Sequence, residues 1–233
     1  MPAETANATP AADVVYRDSP IDRLFILLFT RKMARVSHTQ TQIKGYDGIV
    51  DLSHQIMQGR SVTQQQQAVT SILESLVPAP ALAFIRAAFS PTKLVCELNA
   101  WFASHMFEWL VGPCRVDHAE VSTADGVVAQ NSTVHIEKCR YLERSGCVGM
   151  CVNMCKLPTQ AFFTEQFGIP LTMTPDFETL SCNMVFGQPP SLEPESAYTH
   201  PCFDDCPTAS ASAACHQVQR SDRTAAESPK TKD

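Results

Sequence analysis

The pattern of apolar and polar positions divides the chain into two halves of different character. Up to about Leu110, apolar residues recur at helical spacing, and Ser19-Pro20 is a typical helix start. The first helix is predicted to end near Arg35 and to carry an apolar stripe of Leu24, Leu27, Leu28 and Met33. Further helices are predicted at about residues 51–57, 64–77, 81–89 and 91–110, with a turn over residues 45–48.

Beyond residues 112–113 the apolar period changes from the helical value to two. Residues 116–121 and 127–142 alternate and are rich in β-branched side chains, and Asp125-Gly126 between them is a hairpin turn signal. Residues 180–186 predict a further strand. The chain is therefore predicted to be α+β, with a helical N-terminal half followed by a small antiparallel sheet and a cysteine-rich segment.

The composition at the two ends predicts disorder around a single domain. Residues 1–15 are rich in Ala, Thr and Pro, and residues 207–233 contain almost no large apolar side chains. Residues 16–206 are predicted to form the one domain, with a capped helix running from Pro158 to Phe167. No run of 18 apolar residues predicts a membrane-spanning helix, and no transit-peptide pattern is evident at the start.

The charge pattern excludes one class of function. The formal net charge is −6, and the 18 basic residues are dispersed along the chain. A nucleic-acid-binding protein concentrates Lys and Arg on one face, so we expect no nucleic-acid partner. The hydrophobic content of 44% is sufficient for a core that does not depend on disulfides or metals.

Cysteines are the strongest chemical signal in the sequence. Seven of the ten lie between residues 139 and 206, and Cys147, Cys151 and Cys155 recur every fourth residue. Clustered thiolates are soft ligands suited to iron–sulfur clusters, zinc or copper(I). The alternatives are a disulfide framework and cysteines that are simply buried in the core. The predicted metal ligands are Cys147, Cys151, Cys155, Cys182, Cys202 and Cys206.

Helix geometry limits how the first three of these cysteines can converge. On one unbroken helix, Cys147 and Cys155 would be separated by about 12 Å of axial rise. Either at most two of the three are ligands from such a helix, or the backbone bends, as Gly146 and Gly149 would allow. The remaining ligands would come from the later cysteines once the chain folds back.

Several segments around these cysteines resemble the plant dwarf-twenty-seven family of β-carotene isomerases. The resemblance covers roughly residues 16–206 and has the unusual C-x₃-C-x₃-C at its centre. It is carried by residues 134–143 (VHIEKCRYLE), 145–153 (SGCVGMCVN), 156–160 (KLPTQ), 167–173 (FGIPLTM), 181–182 (SC) and 186–188 (FGQ), and upstream by 16–18 (YRD), 29–33 (FTRKM), 45–48 (GYDG) and 111–114 (VGPC).

The resemblance implies an iron-containing plastid isomerase, with the iron expected in an iron–sulfur cluster. Such an enzyme interconverts all-trans- and 9-cis-β-carotene as the first step of strigolactone biosynthesis. Its implied partners are the carotenoid, a membrane that it contacts transiently, and a downstream carotenoid cleavage dioxygenase. The alternative is a cysteine-rich iron–sulfur or zinc module that binds metal or carries electrons without isomerase activity.

Two chemical routes for the isomerisation remain open from the sequence. A redox-active cluster could exchange one electron with the polyene, which zinc cannot do because it is redox-inert. Alternatively, an acid could protonate the chain, with His135, Glu137 or Glu143 as candidate donors. Either route requires an apolar tunnel, for which the candidate lining residues are Leu94, Leu98, Trp101, Phe102, Phe107 and Trp109.

Overall fold

The N-terminal half of the protein consists of helices joined by short turns. A computed structural model of the chain describes residues 14–190 apart from residues 89, 124 and 125. The helices are α1 (Pro20–Ser37), α2 (Tyr46–Met57), α3 (Val62–Glu74), α4 (Ala79–Ala88), α5 (Lys93–Met106) and α6 (Glu108–Val111). All five helices predicted for this half are present, with boundaries that differ by a few residues.

Helix α1 begins as the sequence predicts but does not bury its leucines. Ser19 and Asp22 form a reciprocal capping box, each side chain accepting a hydrogen bond from the other residue's backbone N–H. The side chains that α1 buries include Ile26 and Met33. Leu24 and Leu28, in contrast, are 52% and 50% exposed. Only Met33 of the predicted stripe therefore belongs to the core.

The turn predicted over residues 45–48 is shorter than expected, because α2 already begins at Tyr46. Gly45 precedes the helix with a φ of 71°, a value that favours glycine. Gly48 lies inside the helix, where a Cβ atom would lie 2.5 Å from the carbonyl oxygen of Ile43. Its lack of a side chain thus allows a close backbone approach rather than a turn.

The second half contains a four-stranded antiparallel sheet with the strand order β1-β2-β4-β3. Thr123 pairs with Gly126, so the predicted β1–β2 hairpin is confirmed, although Asp125 is outside the described residues. The prediction of a second strand to residue 142 is wrong, because that strand ends at Ile136. The sequence did not predict β3. The strands are β1 (Cys114–Thr123), β2 (Gly126–Ile136), β3 (Leu171–Pro175) and β4 (Cys182–Phe186).

Two helices separate the β1–β2 hairpin from β3. The first is α7 (Arg140–Ser145), and the second is a continuous helix over residues 148–167, named here the cysteine helix. The cysteine helix comprises α8 (Val148–Met150), a π-helical turn (Cys151–Lys156), α9 (Leu157–Phe162) and a second π-helical turn (Phe163–Phe167). It ends at Gly168 in the left-handed conformation, as predicted, but its predicted start at Pro158 is wrong.

The two halves pack as layers around a shared core. Helix α5 lies on β1, β2 and β4, while α3 packs against α1, α9 and the first π-helical turn. This arrangement confirms the α+β prediction. No single helix in the described part of the chain is long and apolar enough to cross a membrane; the pair α3 and α4, bent by 86°, meets that criterion by length and composition alone.

Candidate active site

A large apolar cavity lies between the helical layer, the sheet and the cysteine helix. Its volume is about 850 Å³, which falls within the range of roughly 300–1,000 Å³ that is typical of ligand pockets. Helix α1 contributes Phe25 and Phe29, and β2 contributes Val134. The wall on the side of the cysteine helix contains Phe162, Phe163 and Phe167. Such walls suit a hydrocarbon ligand, because they offer dispersion contacts without unpaired polar groups.

Three of the six side chains predicted for the tunnel line this cavity. Phe102, Phe107 and Trp109 are in its wall. Leu94, Leu98 and Trp101 instead are exposed on the solvent side of α5, at 68%, 59% and 58%.

Ionisable groups at the cavity are few and are distributed unevenly. Arg31, Lys32 and Arg35 of α1 line it together with the half-exposed Leu28 and Phe102, so this side is the mouth. Among the described lining residues, the other ionisable side chain is Cys155, and none is a carboxylate or a histidine. The thiol of Cys155 is therefore the reactive group that the cavity presents to a ligand.

Cys155 belongs to a group of four neighbouring cysteines, named here the thiol cluster. Its other members are Cys139, Cys151 and Cys182. The members lie close enough to raise one another's pKa values: Cys139 and Cys155 raise those of both Cys151 and Cys182. All members of the cluster except Cys155 are buried. The sequence predicted three of these residues as ligands and missed Cys139. The signal was present, since Cys139 begins the cysteine-rich segment.

Local backbone features bring the four thiols together. The N–H of Cys139 donates a 2.7 Å hydrogen bond to the carbonyl oxygen of Leu180, which places the start of α7 beside β4. Cys182 begins β4 and pairs with Ile136 at the end of β2. Cys151 and Cys155 both lie in the first π-helical turn. π-Helical turns inside α-helices are frequent at functional sites.

Burial and mutual repulsion keep these thiols protonated. Burial and, to a smaller extent, the neighbouring Cys139 together raise the pKa of Cys155 to about 12. The Thr159 hydroxyl opposes the shift by hydrogen bonding to Cys155. The pKa values of Cys151 and Cys182 are also well above the ordinary value because of burial and the adjacent cysteines, and Lys156 offsets part of each shift. A metal ion bound here would have to displace thiol protons.

The donor set fits iron or another soft metal in its chemistry, because it consists of four cysteines and iron–sulfur clusters are typically held by four. As the side chains are arranged in residues 14–190, no three Cys, His, Asp or Glu side chains form a group that could hold a metal ion. Metal binding would thus require the thiols to turn towards a common centre.

Three predicted ligands, Cys147, Cys202 and Cys206, are not members of the thiol cluster. Cys147 is buried in extended backbone just before α8, at a φ of −141°, and lies near Tyr141. Cys147 precedes the helix and its carbonyl oxygen accepts a hydrogen bond from the N–H of Cys151, so of the three cysteines in the C-x₃-C-x₃-C motif Cys151 and Cys155 lie within the helix. Cys202 and Cys206 are outside the described residues. The ligand roles of these three cysteines stay predictions.

The three candidate proton donors are not among the residues that line the cavity. His135 lies on β2 with its ring Nδ1 2.7 Å from Oδ1 of Asn183. Glu137 is exposed and forms an ion pair with Arg115 at 3.1 Å. Glu143 accepts a 2.7 Å hydrogen bond from the hydroxyl of Tyr16 and pairs with Lys138. A catalytic role for any of them stays a prediction.

Comparison with known proteins agrees with the resemblance found in the sequence. A family profile described as Beta-carotene isomerase D27-like, C-terminal, matches residues 109–195. Beta-carotene isomerase D27, chloroplastic, of Medicago truncatula is 36% identical over 193 residues, which are 82% of this chain and 75% of that protein. The protein of the same name from Arabidopsis thaliana is 37% identical over 206 residues, 87% of this chain and 75% of that protein. No solved structure matches the chain.

These relationships define the class of the protein as an isomerase. Among the described residues, the apolar cavity combines hydrocarbon walls with one cysteine, Cys155. The chain belongs to the β-carotene isomerase D27 family. Both relatives are named chloroplastic, and plastid localisation follows for this chain by family resemblance.

Proposed function

We propose that this protein is a carotenoid cis/trans isomerase that interconverts all-trans- and 9-cis-β-carotene. The proposal rests on one observation: Cys155 lines the apolar cavity and also belongs to the thiol cluster. A polyene in this cavity would contact hydrocarbon along its length and meet one reactive group. The names of the two relatives support the choice of substrate.

Iron is the proposed cofactor, most simply as an iron–sulfur cluster. Cys139, Cys151, Cys155 and Cys182 would hold it, and the sequence adds Cys147, Cys202 and Cys206 as further candidate ligands. When bound, iron would supply reversible one-electron exchange with the polyene, which lowers the order of a double bond. Four thiols from three parts of the chain are the donor chemistry that supports this choice.

The protein's own side chains would bind and orient the hydrocarbon. The aromatic walls exclude water, so that an intermediate with weakened double bonds is protected from side reactions. No carboxylate or histidine lines the described part of the cavity, and Cys155 would hold iron as a thiolate, so no carboxylic acid, imidazole or thiol would be placed to protonate the polyene. We therefore propose that rotation proceeds without protonation by His135, Glu137 or Glu143.

The proposed reaction fixes the kind of enzyme that must follow it. An isomerase cannot shift the equilibrium between two isomers, so net formation of the 9-cis isomer requires its removal. A carotenoid cleavage dioxygenase would consume that isomer, as in strigolactone biosynthesis. The proposed place in strigolactone biosynthesis and the dioxygenase partner both rest on the family resemblance.

The test is a reaction with anaerobically purified protein and all-trans-β-carotene, with the isomers separated by chromatography. We expect 9-cis-β-carotene from protein that contains iron and sulfide. When the reaction is run in deuterated water, the recovered 9-cis isomer should contain no deuterium on its polyene carbons. Deuterium there would contradict the route without protonation, and the absence of any isomerisation by iron-loaded protein would contradict the proposed function.

A further inference from the structure

The cavity mouth is bordered by two helix faces whose apolar side chains are exposed. On α1 these include Leu24 and Leu28, at 52% and 50%. On α5 they include Leu98 and Phe102, at 59% and 49%. Leu28 and Phe102 also line the cavity, so each exposed face continues directly into the cavity wall. We name this region, together with the basic end of α1 described next, the mouth surface.

Along the axis of α1, the mouth surface changes from apolar to basic side chains. Residues at spacings of three, four and seven share one face of a helix, which places Leu24 and Leu28 in line with Arg31, Lys32 and Arg35. Hydrophobic side chains therefore occupy the first half of this face and cationic side chains the second. Long cationic side chains can lie along apolar surface while their charged ends reach polar headgroups.

The charge of this helix is opposite to that of the protein. The chain has a net charge of −6. Helix α1 contains four basic residues and one acidic residue, Asp22, whose carboxylate accepts a hydrogen bond from the backbone of the helix cap. The positive charge is thus concentrated beside the exposed leucines rather than spread over the surface. A basic, amphipathic face of this kind is typical of binding to anionic membranes.

We propose that the mouth surface docks on a lipid bilayer that contains anionic headgroups. In this orientation Leu24, Leu98 and Trp101 enter the interface, and the cavity opens towards the acyl chains. The three cations Arg31, Lys32 and Arg35 contact the headgroups. The choice of a bilayer as the reservoir of the ligand rests on the proposed function, because a carotenoid is carried in lipid.

A second copy of this chain fits the mouth surface less well. Most dimers are formed by a two-fold axis, which places the same patch on both sides of the interface. The basic residues of two α1 helices would then share one interface, and the residues that define the patch include no acidic side chain to pair with them. Anionic lipid, in contrast, supplies the complementary charge and covers the apolar side chains at the same time.

The experiment is flotation of the purified protein with phosphatidylcholine vesicles, with and without phosphatidylglycerol, in the absence of carotenoid. We expect binding that requires the anionic lipid. Replacing Arg31, Lys32 and Arg35 together by glutamine should weaken it on the order of 100-fold, since each basic residue near such a surface contributes about fivefold. The control is Arg115→Gln, an exposed cation on β1 that is not part of the mouth surface.

The apolar part is tested with Leu24→Ser combined with Leu98→Ser, two exposed positions that do not line the cavity. This variant should fold normally, bind vesicles weakly and keep its activity on detergent-dispersed carotenoid, while losing activity on carotenoid in vesicles. Val127→Ser, at an equally exposed apolar position in β2, is the matched control. Equal vesicle binding by all variants, or binding without any preference for anionic lipid, overturns the proposal.

The design separates this proposal from the proposed function. Lipid-dependent flotation that both variants reduce supports docking even if no isomerisation is detected. Isomerase activity without flotation overturns docking and leaves the function intact. Light scattering adds a further outcome: a dimer that is lost in the Leu24→Ser and Leu98→Ser variant would identify a second copy as the occupant and overturn the proposal.

Discussion

Arg140 and Asp18 form a two-pronged ion pair across 122 positions of the sequence. The two guanidinium nitrogens lie 2.5 Å and 3.0 Å from the two carboxylate oxygens. The same guanidinium donates to the carbonyl oxygen of Trp109 and lies 3.9 Å from the centre of the Tyr46 ring. Because Arg140 directly follows Cys139, this contact ties the segment before α1 to the start of the thiol cluster.

Removing the carboxylate of this pair should strongly destabilise the protein. The Arg140 side chain is only 5% exposed, so Asp18→Asn leaves a charge in the interior without its counter-ion. We expect the free energy of unfolding to fall by about 3 kcal/mol or more. The measurement is urea denaturation at pH 7, with Arg17→Gln as a control that changes one exposed charge at the adjacent position. Equal denaturation midpoints for Asp18→Asn and the control would contradict the structural role of the pair.

Stability should decrease in acid through two carboxylates. Hydrogen bonding from Arg140 lowers the pKa of Asp18. Burial opposes ionisation of Glu143, but hydrogen bonds from Lys138 and Tyr16 lower its pKa overall. A carboxylate whose pKa is lower in the folded state stabilises the fold above its unfolded pKa, about 4, and this contribution is lost as the pH falls through the folded value.

The pH prediction is checked by comparing urea denaturation of the wild type and Asp18→Asn between pH 7 and pH 2.5. The difference in unfolding free energy should be constant at neutral pH and shrink below about pH 4, where the wild type begins to lose the ion pair. A difference that stays constant over the whole range would show that Asp18 does not titrate with a lowered pKa.

The sequence predicted the elements of the fold well where local signals are strong. Ser19 caps α1 and Gly168 ends the cysteine helix as their residue types suggest, because caps depend on neighbouring residues. The sequence failed where tertiary contacts decide. It did not predict β3, which pairs with β4 at the edge of the described sheet, and it continued β2 into the residues that form α7.

The sequence predicted that the candidate site contains cysteines, but it did not predict which cysteines lie together. The cysteine spacing left two alternatives open, at most two ligands from one helix or a bent backbone, and in the structure Cys151 and Cys155 share a π-helical turn that Cys147 precedes. Cys139 was missed because a backbone hydrogen bond to Leu180, 41 residues later, brings it into the cluster. Leu24 and Leu28 were assigned to an apolar stripe, yet periodicity does not distinguish a face that covers a core from one that borders an open cavity.

Filling the cavity should strongly reduce activity while the protein remains folded. Ala103 of α5 is buried and lines the cavity, so phenylalanine at this position extends into the space proposed for the polyene. We expect turnover of β-carotene by Ala103→Phe to fall about tenfold or more, while the unfolding free energy changes by no more than about 3 kcal/mol. The matched control is Ala129→Phe, the same substitution at an exposed position of β2. Unchanged turnover in Ala103→Phe would show that the substrate binds elsewhere.

Cys139 provides the sharpest test of the thiol cluster, because its membership follows from the structure and not from the cysteine spacing. Burial raises its pKa, while the N–H groups of Leu142 and Tyr141 oppose that shift and favour the thiolate. If the cluster holds iron, Cys139→Ser should lose most of the iron and sulfide found in anaerobically purified wild-type protein, together with its visible absorption.

The control for this prediction is Cys114→Ser. The Cys114 thiol donates a 3.0 Å hydrogen bond to the carbonyl oxygen of Ser104, and a serine hydroxyl can make the same bond. Because Cys114 is not among the cluster members defined above, its replacement should leave the iron content at the wild-type level. Retention of full iron and sulfide in Cys139→Ser would remove that residue from the ligand set and leave Cys147, Cys202 or Cys206 to supply the missing thiolate. Equal losses in both variants would show that the iron content reports general stability rather than ligation.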